Sequence, residues 1–294
     1  MEWNHYDPTF RAFANVYRLP KMSNRATVGI LRRDFRVATS NQAASTNSEM
    51  QLINEAKWVD NGRPFYNLWP SVIEPFGDID LSKVSCKEIS LPLPQIMVRC
   101  PKGSSVHGAI CFLVSEMNVD DARGLQFCIS DGSYYPSKQF STIPVHTISS
   151  FELIPDHTVE ERLQWCQQHP YCDDPIDYKM ISACVKIAVS LSLLRNNPDL
   201  IEPLPLEADR KKWEETHDMK YIEKAARRGK KEWDVGKHVV VTPGFRRPHF
   251  AIRWMGRGVG VEKKPVLRPI RGCLVQRESV ISVPTGFLDE SEEP

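Results

Sequence analysis

PQIMVRCPKGSSVHGAICFLVSEMNVDDARGLQFCIS, residues 94–130, holds three short apolar runs, IMVRC, AICFLVS and LQFCIS, with turn-forming PKGSS and DARG between them. Each run is rich in β-branched, aromatic and cysteine side chains and too short for a helix, so each reads as a strand. QFSTIPV at 139–145 follows DGSYYPS and adds a fourth candidate. Short connections favour antiparallel pairing, and the segment reads as the middle sheet of the protein.

Helical patterns flank this sheet. Downstream, DPIDYKMISACVKIAVSLSLLRNNPD carries Ile176, Met180, Cys184, Ile187, Leu191 and Leu194 at helical spacing, with apolar neighbours beside the stripe. This is the expected central buried helix, stopped near Asn197 and Pro198. Its apolar stretch, 181–194, is too short to cross a bilayer and contains Lys186. Just upstream, Thr158 and Glu161 form a capping-box pattern before ERLQWCQQ. Residues 1–80 read as short helices with irregular joints, the aromatics of RPFYNLWPSVIEPFG lying between prolines.

After IEPLPLE, read as a linker, comes one polar surface helix of about 20 residues, ADRKKWEETHDMKYIEKAARRGKKEWD, ending near Gly229. Strand-like runs follow in VGKHVVVTP, HFAIRWMG, KPVLRPIRGCLVQ and SVISVP, with GRGVG as a hairpin turn. The expectation is an α+β fold: a helical N-terminal part, an antiparallel middle sheet, a central apolar helix and a basic C-terminal β-ribbon. Residues 1–200 form a mixed helix and sheet core, and residues 201–294 a basic helix plus ribbon packed on it.

Of the 294 residues, 41% are apolar and 26% charged, which excludes disorder as the main theme. The net charge of +1 conceals a split: residues 1–208 carry −5, residues 209–277 carry +11, and residues 278–294 carry −5. A block that positive suits a polyanionic partner, with a solvated basic helix as the other reading of its first half. The N-terminus shows no secretory pattern, so a cytoplasmic protein is expected. Its cysteines, at 86, 100, 111, 128, 166, 172, 184 and 273, form no Cys-x-x-Cys pair and read as reduced core residues. Cys166, His169 and Cys172 in WCQQHPYC lack a fourth partner at zinc spacing, and Asp120/Asp121 and Asp173/Asp174 suit turns and caps better than a metal.

The densest polar cluster is TPGFRRPHFAIRWMGRG, residues 242–258. Strand alternation puts His249, Ala251, Arg253 and Met255 on one face and Phe250, Ile252 and Trp254 on the other, which is free to sit on the core. Arg246, Arg247 and Arg257 flank the polar face, and Arg268, Arg271 and Arg277 follow in the next strands. Arginine forks bind phosphate or carboxylate at two points and stack on bases, so these eight residues form the candidate anion or nucleic-acid surface. Two other readings stay open. The arginines pair with the acidic N-terminal part, or His249 serves as the acid/base of a phosphodiester enzyme with Arg253. Phosphate-loop, nucleophile-elbow, zinc-helix and dinucleotide-binding motifs are absent, and no cofactor, metal or membrane partner is expected.

At Pro243, Gly244, Phe245, Arg246, Arg247, Pro248, His249 and Phe250 the chain resembles the family of the second type V-A anti-CRISPR protein and its bacterial and mobile-element relatives. That family's motif reads Pro-His-x-Arg-Arg-Gly-His-aromatic. The likeness extends more loosely to LPLPQIMVRC and to MISACVKIAVSLSLL followed by NPDLIEPLP. Gly244 replaces the first histidine and Pro248 the glycine, so no His-His pair carries over. The resemblance implies a cytoplasmic α+β protein that suppresses production of a type V Cas nuclease by recognising its nascent chain during translation, with loss of the message. Its partner would be RNA, a ribosome-associated nascent chain or an acidic peptide, and the protein a non-enzymatic binder. A structural component of a mobile element is the remaining alternative.

Overall fold

A computed structural model describes residues 1–38, 42–119, 122–134, 144–169, 175–194, 200–237, 239, 249–255 and 264–270. Their centre is a seven-stranded sheet in the order β5-β4-β3-β2-β1-β7-β6. The strands are β1 (Phe65–Leu68), β2 (Gln95–Arg99), β3 (Cys111–Val119), β4 (Ala122–Tyr134), β5 (Pro144–Glu152), β6 (Ile201–Pro203) and β7 (Glu232–Val235). β2 through β5 and the β6/β7 pair are antiparallel, whereas β1 runs parallel to both β2 and β7.

The middle strands are buried on both faces, which is why their sequences read as nearly continuous apolar runs. Ile96, Val98, Phe112, Val114, Leu125, Phe127 and Ile129 face the larger core. Met97, Cys111, Leu113 and Cys128 face the other way, against Tyr6 and Trp58. Helices α4 (Pro70–Gly77), α5 (Val159–Gln168) and α6 (Pro175–Leu194) supply the large core, with Val72 and Phe76, Leu163, and Cys184 through Leu194. The opposite layer is α1 (Thr9–Val16), α2 (Asn24–Ala38) and α3 (Gln42–Asp60), where Phe10, Val28, Leu31, Leu52 and Ala56 form a small cluster of their own.

The central helix is as expected: its described interior positions from Val185 to Leu194 are almost all fully buried. Lys186 is accommodated because its ammonium reaches Glu160 at 3.4 Å. The Thr158–Glu161 capping box is present, with Thr158 N–H donating to Glu161 at 2.7 Å and Glu161 N–H to Thr158 at 3.2 Å. No helix among the described residues is long and apolar enough to cross a membrane.

Several expectations are corrected. FYNL, assigned to the helical first 80 residues, is β1, between β2 and β7. IEP, assigned to a linker, is edge strand β6. EWDV, placed between the polar helix and the next strand-like run, is β7, which pairs parallel with β1 from Glu232 to Val235, and of VGKHVVVTP residues 238 and 240–243 lie outside the described residues. The single polar helix is two, α7 (Arg210–Thr216) and α8 (Lys220–Arg227), broken where His217 takes a left-handed backbone with φ 50°. Asp218 stabilises the second start by accepting the Lys220 N–H at 3.0 Å. The strand sought in QFSTIPV is β5, whose described part begins only at Pro144, and residues 135–143 lie outside the described residues.

Strands β8 (His249–Met255) and β9 (Lys264–Ile270) form a separate two-stranded antiparallel sheet. One face of it is seated on the main core: Phe250 meets Phe76 edge to face at 4.7 Å between centroids, and Leu267 is fully buried. Burying a side chain of that size contributes about 1.5–3 kcal/mol, enough to fix which face points inward.

Candidate functional site

The register of β8 and β9 decides which residues share the outer face. His249 pairs with Ile270, Ala251 with Arg268, Arg253 with Val266 and Met255 with Lys264. The alternate pairs, Phe250 with Pro269, Ile252 with Leu267 and Trp254 with Pro265, carry Phe250, Ile252 and Leu267, which pack on the core. Lys264 and Arg268 therefore lie opposite the seated face, and the backbone register sets positions 249 and 253 of β8 in phase with them. Lys264 and Arg268 are exposed, and Arg268 has no ion pair among the described residues. Of the eight residues singled out from sequence, the register joins His249, Arg253 and Arg268. Arg246, Arg247, Arg257, Arg271 and Arg277 lie outside the described residues, as does the GRGVG turn.

In the earlier part of the basic block, five of the ten basic side chains from 210 to 237 are paired nearby. Lys220 bonds Asp218 at 2.6 Å, Lys224 bonds Asp209 at 2.7 Å, and Arg227 bonds Glu223 at 3.3 Å. Lys230 and Lys237 reach Glu232 and Glu202, each at 3.1 Å. The described ion pairs of this stretch are thus made with carboxylates after residue 200. They suit a solvated, locally compensated face, whose exposed pairs are screened by water and add little to stability.

A second polar arrangement escapes the sequence. One register row crosses all seven strands of the main sheet as Glu202, Asp234, Asn67, Arg99, Cys111, Ser130 and His146. Arg99 donates to Asn67 Oδ1 through Nε at 3.0 Å and Nη2 at 2.7 Å, and through Nη2 to Glu232 Oε1 at 2.7 Å. Its guanidinium sits 3.9 Å from the Phe65 ring centroid. Asn67 Nδ2 donates to both Glu232, at 2.8 Å, and Asp234, at 3.1 Å. Burial raises the proton affinity of both acids, but the Asn67 bond and the charges of Arg99 and Lys230 hold Glu232 below its ordinary range. For Asp234 burial prevails and its pKa is raised. Burial likewise pushes the Cys111 thiol up to about 12, which leaves it protonated and unreactive.

An acid whose folded pKa is raised is strained while ionised, and the strain disappears as pH falls and it takes up a proton. Asp234→Asn is therefore expected to stabilise the fold at pH 7 by about 1 kcal/mol, the scale of one hydrogen bond's net contribution. Urea denaturation at pH 7 and pH 4.5 checks this, the advantage shrinking at the lower pH.

At the other end of the row the N-terminal segment crosses the sheet. Trp3 bridges to Pro101, Cys111 Sγ–H donates to the His5 carbonyl at 3.6 Å, and Tyr6 stacks on His146 at 4.6 Å. There Glu55 is fully buried and accepts from Tyr6 O–H at 2.6 Å, Phe10 N–H at 3.1 Å and Gln51 Nε2 at 3.1 Å. His146 Nδ1 lies 3.0 Å from both Thr9 Oγ1 and Gln51 Nε2 and 3.6 Å from Glu55 Oε1. Burial raises the Glu55 pKa, but the His146 bond and charge, with Tyr6 and Gln51, outweigh it and hold the acid below its ordinary value. The only sequence signal of this arrangement was Arg99, a charge interrupting the apolar run IMVRC.

The described cysteines, 86, 100, 111, 128, 166 and 184, are free thiols, and all but Cys166 are buried. Among the described residues no group of three or more His, Cys, Asp or Glu side chains is arranged to hold a metal. His169 instead stacks on Trp165 at 4.6 Å, and Cys172 lies outside the described residues.

These features define a class: a mixed helix and sheet protein with a partly basic two-stranded sheet seated on one side of its core. No family model matches the chain, and no curated protein matches it. Among solved structures it is similar to the crystal structure of AcrVA2, with a TM-score of 0.46 and 14% identity over 91% of this chain and 92% of that one.

Proposed function

We propose that the protein is a non-enzymatic binding protein that grips a polyanionic partner through the outer face of β8 and β9. The observation that carries this reading is the exposure of Lys264 and Arg268 on the face that the register assigns to His249 and Arg253, with the opposite face seated on the core. Arg268 is exposed, as an arginine that meets a partner must be. The partner is RNA, met alone or within a translation complex, because arginine forks suit phosphate. The resemblance at Pro243–Phe250 adds a biological role: an anti-CRISPR-like suppressor of type V Cas nuclease production, acting on the message and its nascent chain.

The test is fluorescence anisotropy with a labelled RNA at 50 and 200 mM salt. Binding is expected at the lower concentration, weakening steeply at the higher one as phosphate contacts yield to counterions. The RNA is expected to be recovered intact; cleavage that disappears in His249→Ala would replace binding with catalysis. Absence of binding at 50 mM salt contradicts the proposal.

A further inference from the structure

β5 (Pro144–Glu152) closes one end of the seven-stranded sheet, and among the described residues no strand lies beyond it. Its backbone phase follows from the adjoining residue: Leu153 N–H donates to the Arg123 carbonyl at 2.8 Å, in register with the β4/β5 ladder. Such pairs alternate along an antiparallel ladder, so Phe151, Ser149 and Thr147 turn their backbone groups to β4, while His146, Ile148, Ser150 and Glu152 turn theirs outward. Native sheets guard such an edge with lysine, proline or a very short strand. β6, at the opposite end of the sheet, is guarded in this way, having three residues of which the last is Pro203. From Val145 to Phe151, by contrast, β5 reads VHTISSF, without lysine, arginine, proline or glycine.

We infer that this edge pairs with the β5 edge of a second copy of the chain, antiparallel about a two-fold axis through Ser149, so that two sheets join into one. The four outward residues are centred on Ser149. The axis therefore sets Ile148 opposite Ser150 of the second copy and His146 opposite its Glu152, and every outward N–H and C=O of the four meets a partner. An axis moved by one residue to Ile148 would set Glu152 against Pro144, which has no N–H to give.

Two features choose a second copy over an unrelated extended segment. Val145 and Trp165 are large apolar side chains left exposed, and they mark opposite ends of the edge. Val145 begins β5, whereas the Trp165 ring lies 4.5 Å from the Arg162 guanidinium, which bonds Glu152 at the far end at 3.0 Å. Alternation puts Val145 on the side of the sheet where Phe151 packs in one core with Val159 and Leu163 of α5. The two-fold axis lays the Val145 end of each copy along the Trp165 end of the other, on that same side, so each exposed group covers its counterpart. An unrelated segment would complete the ladder and bring nothing fixed over either side chain. The charges agree as well: Glu152, the only carboxylate of β5, stands in register with His146 rather than with its own copy.

The test is sedimentation velocity of the purified protein from about 1 to about 300 µM, because an interface of this small kind belongs to the weak, reversible class. A dimer is expected, with a dissociation constant on the order of 10 µM. Ser150→Pro removes an outward N–H at an exposed position and keeps every bond to β4, so it should raise that constant at least about tenfold. Ser150→Lys places an edge guard at the same position and should do the same without constraining the backbone. Circular dichroism and thermal midpoints confirm that both variants are folded. Ser149→Cys, on the axis, should give a disulfide-linked dimer with oxidised glutathione, since facing residues of this kind have Cα atoms about 4.5 Å apart, within disulfide reach. Thr147→Cys, displaced from its own copy along the edge, should not. A monomer at every concentration overturns the inference, and so does a dimer that the folded Ser150 variants leave unchanged, which then forms through another surface. A dimer that those variants weaken but Ser149→Cys fails to link overturns the axis.

Discussion

Lys264→Glu combined with Arg268→Glu is expected to lower the affinity for RNA by about 100-fold at 50 mM salt, about tenfold for each residue, or ~1.4 kcal/mol apiece. Both residues are exposed and lie on one face of the β8/β9 pair. Each reversal removes one phosphate contact with its counterion release and sets a carboxylate against the remaining phosphates. Fold stability should hardly change, because surface substitutions away from the core are usually within about 0.5 kcal/mol. The control is Lys211→Glu with Lys212→Glu, two exposed positions on α7, which should weaken RNA binding much less. If the α7 pair has the larger effect, the polyanion surface lies on the basic helices instead.

The largest effect on stability is expected at Glu55. Glu55→Gln preserves shape but replaces an acceptor with an amide donor, or removes the charge that three donors now share: Tyr6 O–H, Phe10 N–H and Gln51 Nε2. Removing one partner from a buried charged network typically costs 3–5 kcal/mol, and we expect about 3 kcal/mol here because the amide keeps some of the bonds. That is a large share of the roughly 5–15 kcal/mol that holds a domain folded. The sign with pH follows from the lowered pKa of Glu55: its stabilisation is complete above the ordinary carboxylate range and is lost as pH falls through the folded value. Wild-type protein should therefore have a steep acid limb in a plot of stability against pH, and the glutamine variant a flatter one. Urea denaturation from pH 7 to pH 3 measures both; a loss below about 1 kcal/mol at pH 7 would refute the role given to this acid.

What the sequence disclosed depended on whether the cause of an element was local. α6 was legible because a 3.6-residue stripe flanked by apolar neighbours has one reading, and the capping box because Thr158 and Glu161 bond each other across three residues. β2, β3 and β4 were legible because strands buried on both faces are apolar throughout. β1 was not: FYNL has only four residues, carries Asn67 inside, and derives its strand geometry from parallel pairing with β2 and β7. Parallel neighbours distant in sequence leave no period in either segment. For the same reason EWDV was assigned to the end of a helix and IEP to a linker.

The polar row from Glu202 to His146 was illegible on stronger grounds. Its seven members come from seven strands, and a shift of one residue in any strand would place that strand's member on the opposite face. Only tertiary register makes them neighbours. The outer face of β8 and β9 was partly legible, because alternation within HFAIRWM already separated His249 and Arg253 from Phe250 and Ile252. What alternation cannot supply is the partner strand's phase. The pairing of Ile252 with Leu267 supplies that phase, and with it the placing of Lys264 and Arg268 away from the core.

The most direct test of the central claim is photo-crosslinking of a 4-thiouridine oligonucleotide to the purified protein, followed by mass spectrometry of the tryptic peptides. The account predicts that the principal crosslinks fall within residues 249–270, with yields that drop when Lys264 and Arg268 are both changed to glutamate. Crosslinks concentrated on α7 and α8, or on the sheet face covered by the N-terminal segment, would contradict it.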